Sequence, residues 1–503
     1  MTYPFQRTAR RRLFVATFAA LLSARAVGGQ TTPASLSADS TELLRNALLA
    51  PAATQADLDV VDQAFRSLHP AVYRYSTPAQ WSARVDSLRV YFAVPRTRGD
   101  TYLAFARLTA SIQCGHTYLN FWNQPRSVRR WLTDGADKLP FEFDLSDRDT
   151  WTVTRSGNAA LRAGDVVQAI NGVRTADIVD RLLPYVRGDG ADNGKRRALL
   201  DFRHHKEYET IDVLLPLMLP PLSGTYAVTV RHARATRDTI VRVAAIPAAI
   251  RRRGALPVPT PRSWREFSRD GDVAVLRVDQ FDYGSEAGQW QSFVTQTFQS
   301  LKNSPTRALI VDIRENEGGS DEGAAFLLRH LIRAPITLPP LRRFVAYDTV
   351  ATALRPLLNT WDDGFFDRRG TVTRERDGTF TLNDRGDWPA QLVPAPDAFA
   401  GRIFVLTSYV NSSASHIMLR LLARQPGVTL VGDPSGGSLR AHTGGNLFFL
   451  KLANTGMEVD VPLIAYDWGA NNPSGGVQPD IRVPANKAYD AARRAAVGAS
   501  PRR

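Results

Sequence analysis

The sequence predicts an α/β fold: a layered strand-and-helix domain preceded by a helical region and a β-rich region. Three observations carry this expectation. Helical apolar spacing fills residues 58–112, short alternating apolar runs fill 140–250, and from 265 onward nearly continuous apolar strands alternate with helices. A chain of 503 residues is long enough for two or three domains that each bury a core.

Residues 1–30 read as a secretory signal and the start of a linker. Basic residues run from Arg7 to Arg12, an apolar run extends from Leu13 to Leu22, and Ser23-Ala24-Arg25-Ala26 offers a small-residue cleavage site. Arg11-Arg12-Leu13-Phe14 also suits a twin-arginine signal. That run is too short to span a bilayer, and no later stretch approaches about 18 uninterrupted apolar residues. The expected product is exported, periplasmic or extracellular, with no stable membrane insertion after signal cleavage.

A helical N-terminal domain is expected over 31–135, with the Ala, Thr and Ser of 31–55 as linker. Leu58, Val61, Phe65 and Leu68 define one helix, stopped at His69-Pro70. Thr77 caps a second, with Pro78 at its first position, and Asp100 caps a third carrying Leu103, Phe105, Leu108 and Ile112. Gly115 marks the end of the third, which leaves His116 on a loop or at the first residue of a strand.

Residues 136–250 form the second expected domain. A strand containing Val166, Val167 and Ile170 leads through an Asn171-Gly172 turn to a helix, and strands follow at 225–230 and 239–245, with 184–222 as an insertion. A Pro-rich boundary at 247–262 opens the third domain, 260–503. Its strands are expected at 273–278, 308–314, 402–408 and 428–432, and its helices at 286–302, 321–333 and 412–425. A hairpin over 447–463 turns at Asn454-Thr455-Gly456.

Composition excludes several classes. Lys+Arg 63 against Asp+Glu 49 leaves +14, but only six of the basic residues are lysines, and the arginines form no stripe with interleaved aromatics. No nucleic-acid partner is expected. The single cysteine, Cys114, excludes an internal disulfide framework and a multi-cysteine metal centre. No metal-ligand cluster or phosphate loop is visible, so no metal and no cofactor is expected. Oligomeric state is not marked.

Three segments could carry chemistry. In RIFVLTSYVNSSASHIMLRLL a buried strand turns into a helix near Ser412 or Ser413, where free backbone N–H groups stabilise developing negative charge. An N-cap is the commoner role for a lone serine there. In ALIVDIRENEGGSDEGAAFLL, Gly318 and Gly319 let the backbone turn with its amides exposed, which suits an oxyanion hole or simply a tight turn. His116 can accept a serine proton near neutral pH, and His416 and His442 also lie in or near these segments.

LIVDIRENEGGS resembles the D-x-R-x-N-x-G-G strand and loop of the tail-specific, or C-terminal processing, serine peptidases and their tricorn-core relatives. VLTSYVNSSASHIMLRLL, followed by VGDPSGGS, is similar to that family's nucleophile turn; ALRAGDVVQAINGV resembles its PDZ-like domain, and GGVQPDIRV its terminal segment. The resemblance spans about 57–484. It implies a ClpP/crotonase-like catalytic domain, a PDZ-like substrate domain, and serine peptidase activity on peptide or protein substrates. It places the nucleophile on Ser413 and the oxyanion hole on Ala414, Gly318 and Gly319.

The family's serine–lysine branch has a lysine where this chain has Ser438, and the nearest other lysine, Lys451, lies on the hairpin. The tricorn-like branch takes its base from a G-H-T segment resembled by Gly115-His116-Thr117, which implies His116, with His416 as the rival. Asp433, Glu458 and Thr117 are the candidates for orienting that imidazole. The competing expectation is a non-catalytic peptide-binding protein on the same fold, and a third is a hydrolase of non-peptide esters.

Overall fold

The computed structural model describes residues 38–145, 150–202, 208–253, 263–338, 341–384, 386–469 and 471–498. The expected signal segment lies outside the described residues.

The four apolar runs of the C-terminal half pair as parallel neighbours in the order Val273–Val278, Ala308–Asp312, Arg402–Thr407, Val428–Gly432. Ile481–Arg482 extends the sheet in parallel, and Arg265–Asp270 closes the other edge antiparallel. Both faces are covered, which is why these strands are apolar throughout. Leu309 and Val311 meet the helices Ala287–Lys302, Asp321–Leu331 and Ser413–Leu422, where Trp290, Phe298, Leu328 and Met418 are buried. Ala308 and Ile310 face the opposite way, under the helix Ala485–Gly498. That helix presents Ala488, Ala492 and Ala496, one per turn, so its backbone lies close to the sheet.

A second six-stranded sheet, wholly antiparallel, was visible in the sequence only as its hairpin. Ala441–Lys451 and Glu458–Asp467 pair around the expected turn, and Leu358–Asn359, Arg342–Val345, Phe380–Leu382 and Val372–Arg374 complete it. The buried Asp57 carboxylate caps the hairpin tip, accepting from Asn454 Nδ2 at 2.8 Å and from the Thr455 amide at 2.7 Å. Phe448, Val459 and Val461 of this sheet share one apolar core with the N-terminal helices and with a five-stranded antiparallel sheet.

That five-stranded sheet runs Phe141–Asp144, Trp151–Ser156, Val166–Ile170, Thr225–Arg231, Thr239–Ala244. Asn171 and Gly172 both take positive φ, +49° and +79°, as a two-residue hairpin turn requires. The stretch 184–222 is more ordered than an insertion suggests, with helices at Gly194–Ala198 and Thr210–Met218.

The N-terminal helices Pro51–Leu68, Pro78–Tyr91 and Arg98–Ala110 match the three apolar patterns, with two corrections. The expected linker contains a helix, Ala38–Asn46, and the start of the next. The third helix is capped by Thr97, whose hydroxyl accepts the Asp100 amide at 3.0 Å; Asp100 sits in the first turn, where its charge suits the helix dipole. Among the described residues no helix is long and apolar enough to cross a membrane.

Close approach of the C-terminal helix depends on its small face. Ala492→Leu should lower stability by about 1–3 kcal/mol through overpacking, measured by urea unfolding, whereas Asn486→Ala, at an exposed position of the same helix, should change it little.

Candidate active site

Two loops leave the carboxyl ends of the neighbouring parallel strands Ala308–Asp312 and Arg402–Thr407, and both lead into helices on the same face of the sheet. Such a crevice is the usual ligand position in α/β sheets. Two buried asparagines fasten the loops together. Asn411 Nδ2 donates to Ile313 O at 2.6 Å and Asn316 O at 3.0 Å, while its Oδ1 accepts the Ser408 amide at 2.8 Å. Asn316 Oδ1 accepts the Gly318 amide at 2.8 Å and the Ser415 hydroxyl at 2.6 Å, and its Nδ2 reaches Val278 O at 3.2 Å. Each polar atom of both side chains is therefore bonded where water does not reach.

Between these anchors the chain adopts an unusual conformation. Ser413, the first residue of its helix, has φ +53°, a left-handed value that a non-glycine residue resists. Its neighbour Ser412 is extended and buried; the Ser412 hydroxyl accepts from Lys195 Nζ at 2.5 Å and donates to Glu317 O at 3.0 Å. Ser413 is the partly exposed serine of the pair.

Gly318, at φ +116°, lies directly against it. A Cβ there would stand 2.7 Å from Ser413 Cβ and 3.0 Å from the Ala414 nitrogen. The missing side chain thus leaves space beside Ser413 and beside the Ala414 amide, which lies in the first turn and has no acceptor within the helix. Gly318's own amide is committed to Asn316, so what Gly318 brings is its lack of a side chain rather than an oxyanion donor. Gly319, at φ +128°, is fixed by a bridge in which the Phe281 amide donates to Gly318 O at 2.8 Å and the Ser320 amide to Phe281 O at 3.1 Å.

His116 lies on a loop, as expected. Burial pushes its pKa down to about 4, against the opposing pull of the Asp189 carboxylate, and its Nδ1 is buried without a hydrogen-bond partner. Residues 187–190 grip this loop. Arg187 Nη1 donates to Gly115 O at 2.8 Å, the Gly115 amide to Asp189 Oδ1 at 2.8 Å, and the Gly190 amide to Gln113 O at 3.0 Å. Arg187 Nη2 then donates to Glu317 Oε2 at 2.7 Å, and Lys195 pairs with the same carboxylate at 4.0 Å. Since Glu317 precedes Gly318, one charged cluster joins the loop of His116 to the turn packed on Ser413.

Arg187, Asp189 and Lys195 come from the stretch read as an insertion, and sequence reasoning missed them. The lysine at the serine turn is Lys195, not Lys451. One signal was available: in a chain that meets most of its need for positive charge with arginine, a lysine is rare, and this one is buried.

The rival base is occupied. His416 is buried with Nδ1 at 2.8 Å from Ser435 Oγ and Nε2 at 3.2 Å from Ser438 O, and its ring stacks on Trp468. His442 stands edge-on to His116, ring centroids 5.2 Å apart, and its other side lies parallel to Trp468. None of the expected orienting groups is bonded to His116. Thr117 Oγ1 is 3.0 Å from His69 Nε2, Asp433 Oδ2 accepts the Ala485 amide at 3.0 Å, and Glu458 lies beside Asp460, where burial raises its pKa to about 7. Among the described residues no group of three or more His, Cys, Asp or Glu side chains could hold a metal ion. A cleft of about 870 Å³ lined by Asp201, Arg277, Glu315, Tyr409 and Arg482 includes neither Ser413 nor His116.

Residues 272–483 match peptidase family S41. Gly318, Gly319, Ser413 and Ala414 lie inside that segment; His116, Arg187, Asp189 and Lys195 precede it. Among solved structures, mature CPAF is similar with a TM-score of 0.57 at 16% identity, over 89% of this chain and 96% of that one. A serine-to-alanine mutant of CPAF gives 0.59 at 16% identity over 89% and 96%. The photosystem II D1 C-terminal processing protease gives 0.38 at 14% identity over 86% and 93%. The chain thus has a mixed α/β fold like that of CPAF, with a segment of the S41 peptidase type.

The bonding of the two histidines predicts opposite costs. His416→Ala removes two buried contacts, leaving Ser435 Oγ only the Val477 amide, and should lower stability by about 1–3 kcal/mol. His116→Ala, which removes an unpartnered buried nitrogen, should cost less than His416→Ala in the same urea titration.

Proposed function

We propose that the chain is an exported serine peptidase in which Ser413 is the nucleophile and His116 the general base. The observation that carries this reading is the left-handed Ser413 backbone, set against side-chain-free Gly318 inside the S41-type segment. A sharp strand-to-helix turn of this kind presents a hydroxyl at the head of the sheet, with helix amides around it.

His116 accepts the Ser413 hydroxyl proton as Oγ bonds to the peptide carbonyl carbon, and the resulting oxyanion is held by the amides of Ala414 and Gly319. The imidazolium returns the proton to the leaving amine as the C–N bond breaks. Water, deprotonated by the same imidazole, then releases the acyl group and restores Ser413. Burial favours the neutral ring, which is the form a base needs. The antiparallel sheet over 141–244 serves as a PDZ-like module, adding a substrate strand along its edge.

A fluorophosphonate probe should label Ser413, identified by peptide mass mapping. Ser413→Ala should abolish labelling and His116→Ala should slow it at least a hundredfold, while folded His416→Ala retains it. Absence of label on folded wild-type protein would overturn the reading. Cleavage of peptides rather than simple esters separates a peptidase from an esterase.

Only neutral imidazole accepts the proton, so labelling should persist as pH falls through 6.5 and be lost as it passes about 4. A limb near 6.5 would show that His116 is not held in the buried state described. Gly318→Ala, which drives a methyl group against Ser413, should suppress labelling without unfolding the protein.

A further inference from the structure

The orienting group that a serine–histidine pair needs is absent from the places the sequence suggested, and the structure supplies another carboxylate. Asp189 is only 7% exposed. Its Oδ1 is taken by the amide of Gly115, the residue before His116, at 2.8 Å. Its Oδ2 is buried and has no hydrogen-bond partner, and His116 Nδ1 is buried in the same condition. A buried carboxylate oxygen left bare is costly, and so is a buried ring nitrogen. Here the two belong to side chains whose backbones are tied together, one offering an acceptor and the other able to carry a proton.

The carboxylate cannot withdraw easily. A Cβ on Gly115 would stand 2.6 Å from Asp189 Oδ2, so that oxygen lies against the Gly115 backbone, and Arg187 and Gly190 hold the flanking strand of chain to Gly115 and Gln113. Burial works against the Asp189 carboxylate, but Lys195 and the Gly115 amide hold its pKa below the ordinary value, so it stays ionised. The groups facing His116 are thus Asp189, Lys195 and Arg187 from one stretch and His442 and the Thr443 backbone from the hairpin.

We propose that Asp189 is the positioning residue for His116, its free Oδ2 taking the Nδ1–H of the imidazole so that Nε2 is the nitrogen that serves Ser413. The proposal rests on the serine–histidine reading above. The two atoms are not hydrogen-bonded in this structure; catalytic contacts commonly tighten only when substrate arrives. During attack the Ser413 proton moves to Nε2, while the Nδ1 proton stays on the ring and the carboxylate stabilises the imidazolium without being protonated. The third group of the triad would then come from residues 187–190, outside the S41-type segment.

Asp189→Asn keeps the volume and an oxygen for the Gly115 amide but removes the charge and permits the wrong donor to face the ring. The tautomer of His116 is read at neutral pH from its ¹⁵N ring shifts, assigned by their loss in His116→Ala. Wild-type protein should show Nδ1–H, Asp189→Asn should shift the ring toward Nε2–H, and Asp189→Glu should restore Nδ1–H. Turnover of a peptide substrate should fall a hundredfold or more in Asp189→Asn with KM changed less than threefold, and Asp189→Glu should recover most of it.

A wild-type ring in the Nε2–H tautomer, or a tautomer unchanged by Asp189→Asn, overturns the proposal whatever the rate does; a rate within threefold of wild type overturns it too. If wild-type protein neither cleaves nor labels, the serine–histidine reading fails, and the tautomer measurement still decides whether Asp189 holds His116.

Discussion

Ser413 keeps a left-handed backbone only because its surroundings leave no alternative. Such a conformation costs on the order of 1–3 kcal/mol in a non-glycine residue, and the compensation is visible. Asn411 and Asn316 bond every polar atom they carry, to the two loops, the helix after Ser413 and the neighbouring strand end at Val278, so that relaxing Ser413 would break several buried hydrogen bonds at once. Gly318 supplies the remaining condition, since any side chain there would collide with Ser413 Cβ. The parallel pairing of Ala308–Asp312 with Arg402–Thr407 is what brings these loops side by side.

Around that turn the protein buries charge, which is expensive. Two cations and two anions gather there, Asp189 and Lys195 buried and Arg187 and Glu317 partly exposed, and their mutual pairing offsets desolvation without adding much stability. What the cluster provides is position: the same side chains hold the His116 loop and the Glu317-Gly318 turn. Burial also sets the chemistry of the imidazole. It keeps the ring neutral, but a ring whose pKa lies near 4 is a weak base. A carboxylate nearby partly reverses that weakness as positive charge develops, and Asp189, with the Thr443 backbone, opposes the desolvation of His116.

Much of this was legible in the sequence, for definite reasons. Strands buried on both faces are continuously apolar, so Val273–Val278 and Arg402–Thr407 announce themselves, and the helix after Ser413 follows from its apolar spacing. The glycine pair was readable because only glycine tolerates φ +116° and +128°. The second sheet was not readable, because its short strands, such as Val372–Arg374 and Phe380–Leu382, carry too few residues for an alternation to emerge. Thr97 was displaced by Asp100 as the expected cap because both residue types satisfy a helix start. Arg187 and Asp189 were illegible, and Lys195 was marked only by the rarity of lysine, because their role depends on partners more than 70 residues away and no local periodicity encodes that.

The division of the site along the chain has a structural consequence. The serine, its helix and both glycines belong to the segment that matches family S41, but the imidazole and the charges that hold it come from earlier residues. The C-terminal sheet therefore builds the strained turn, while His116 reaches the neighbourhood of that segment from outside it. The join between halves is correspondingly specific. Asp57 caps the hairpin tip, Gln124 bonds the Glu458 backbone, and Asn120 and Asn123 bond Asp460, each a buried or half-buried polar contact that a loosely docked domain would not form. Because His442 stands on that same hairpin against His116, the contacts that dock the hairpin also constrain where that imidazole sits.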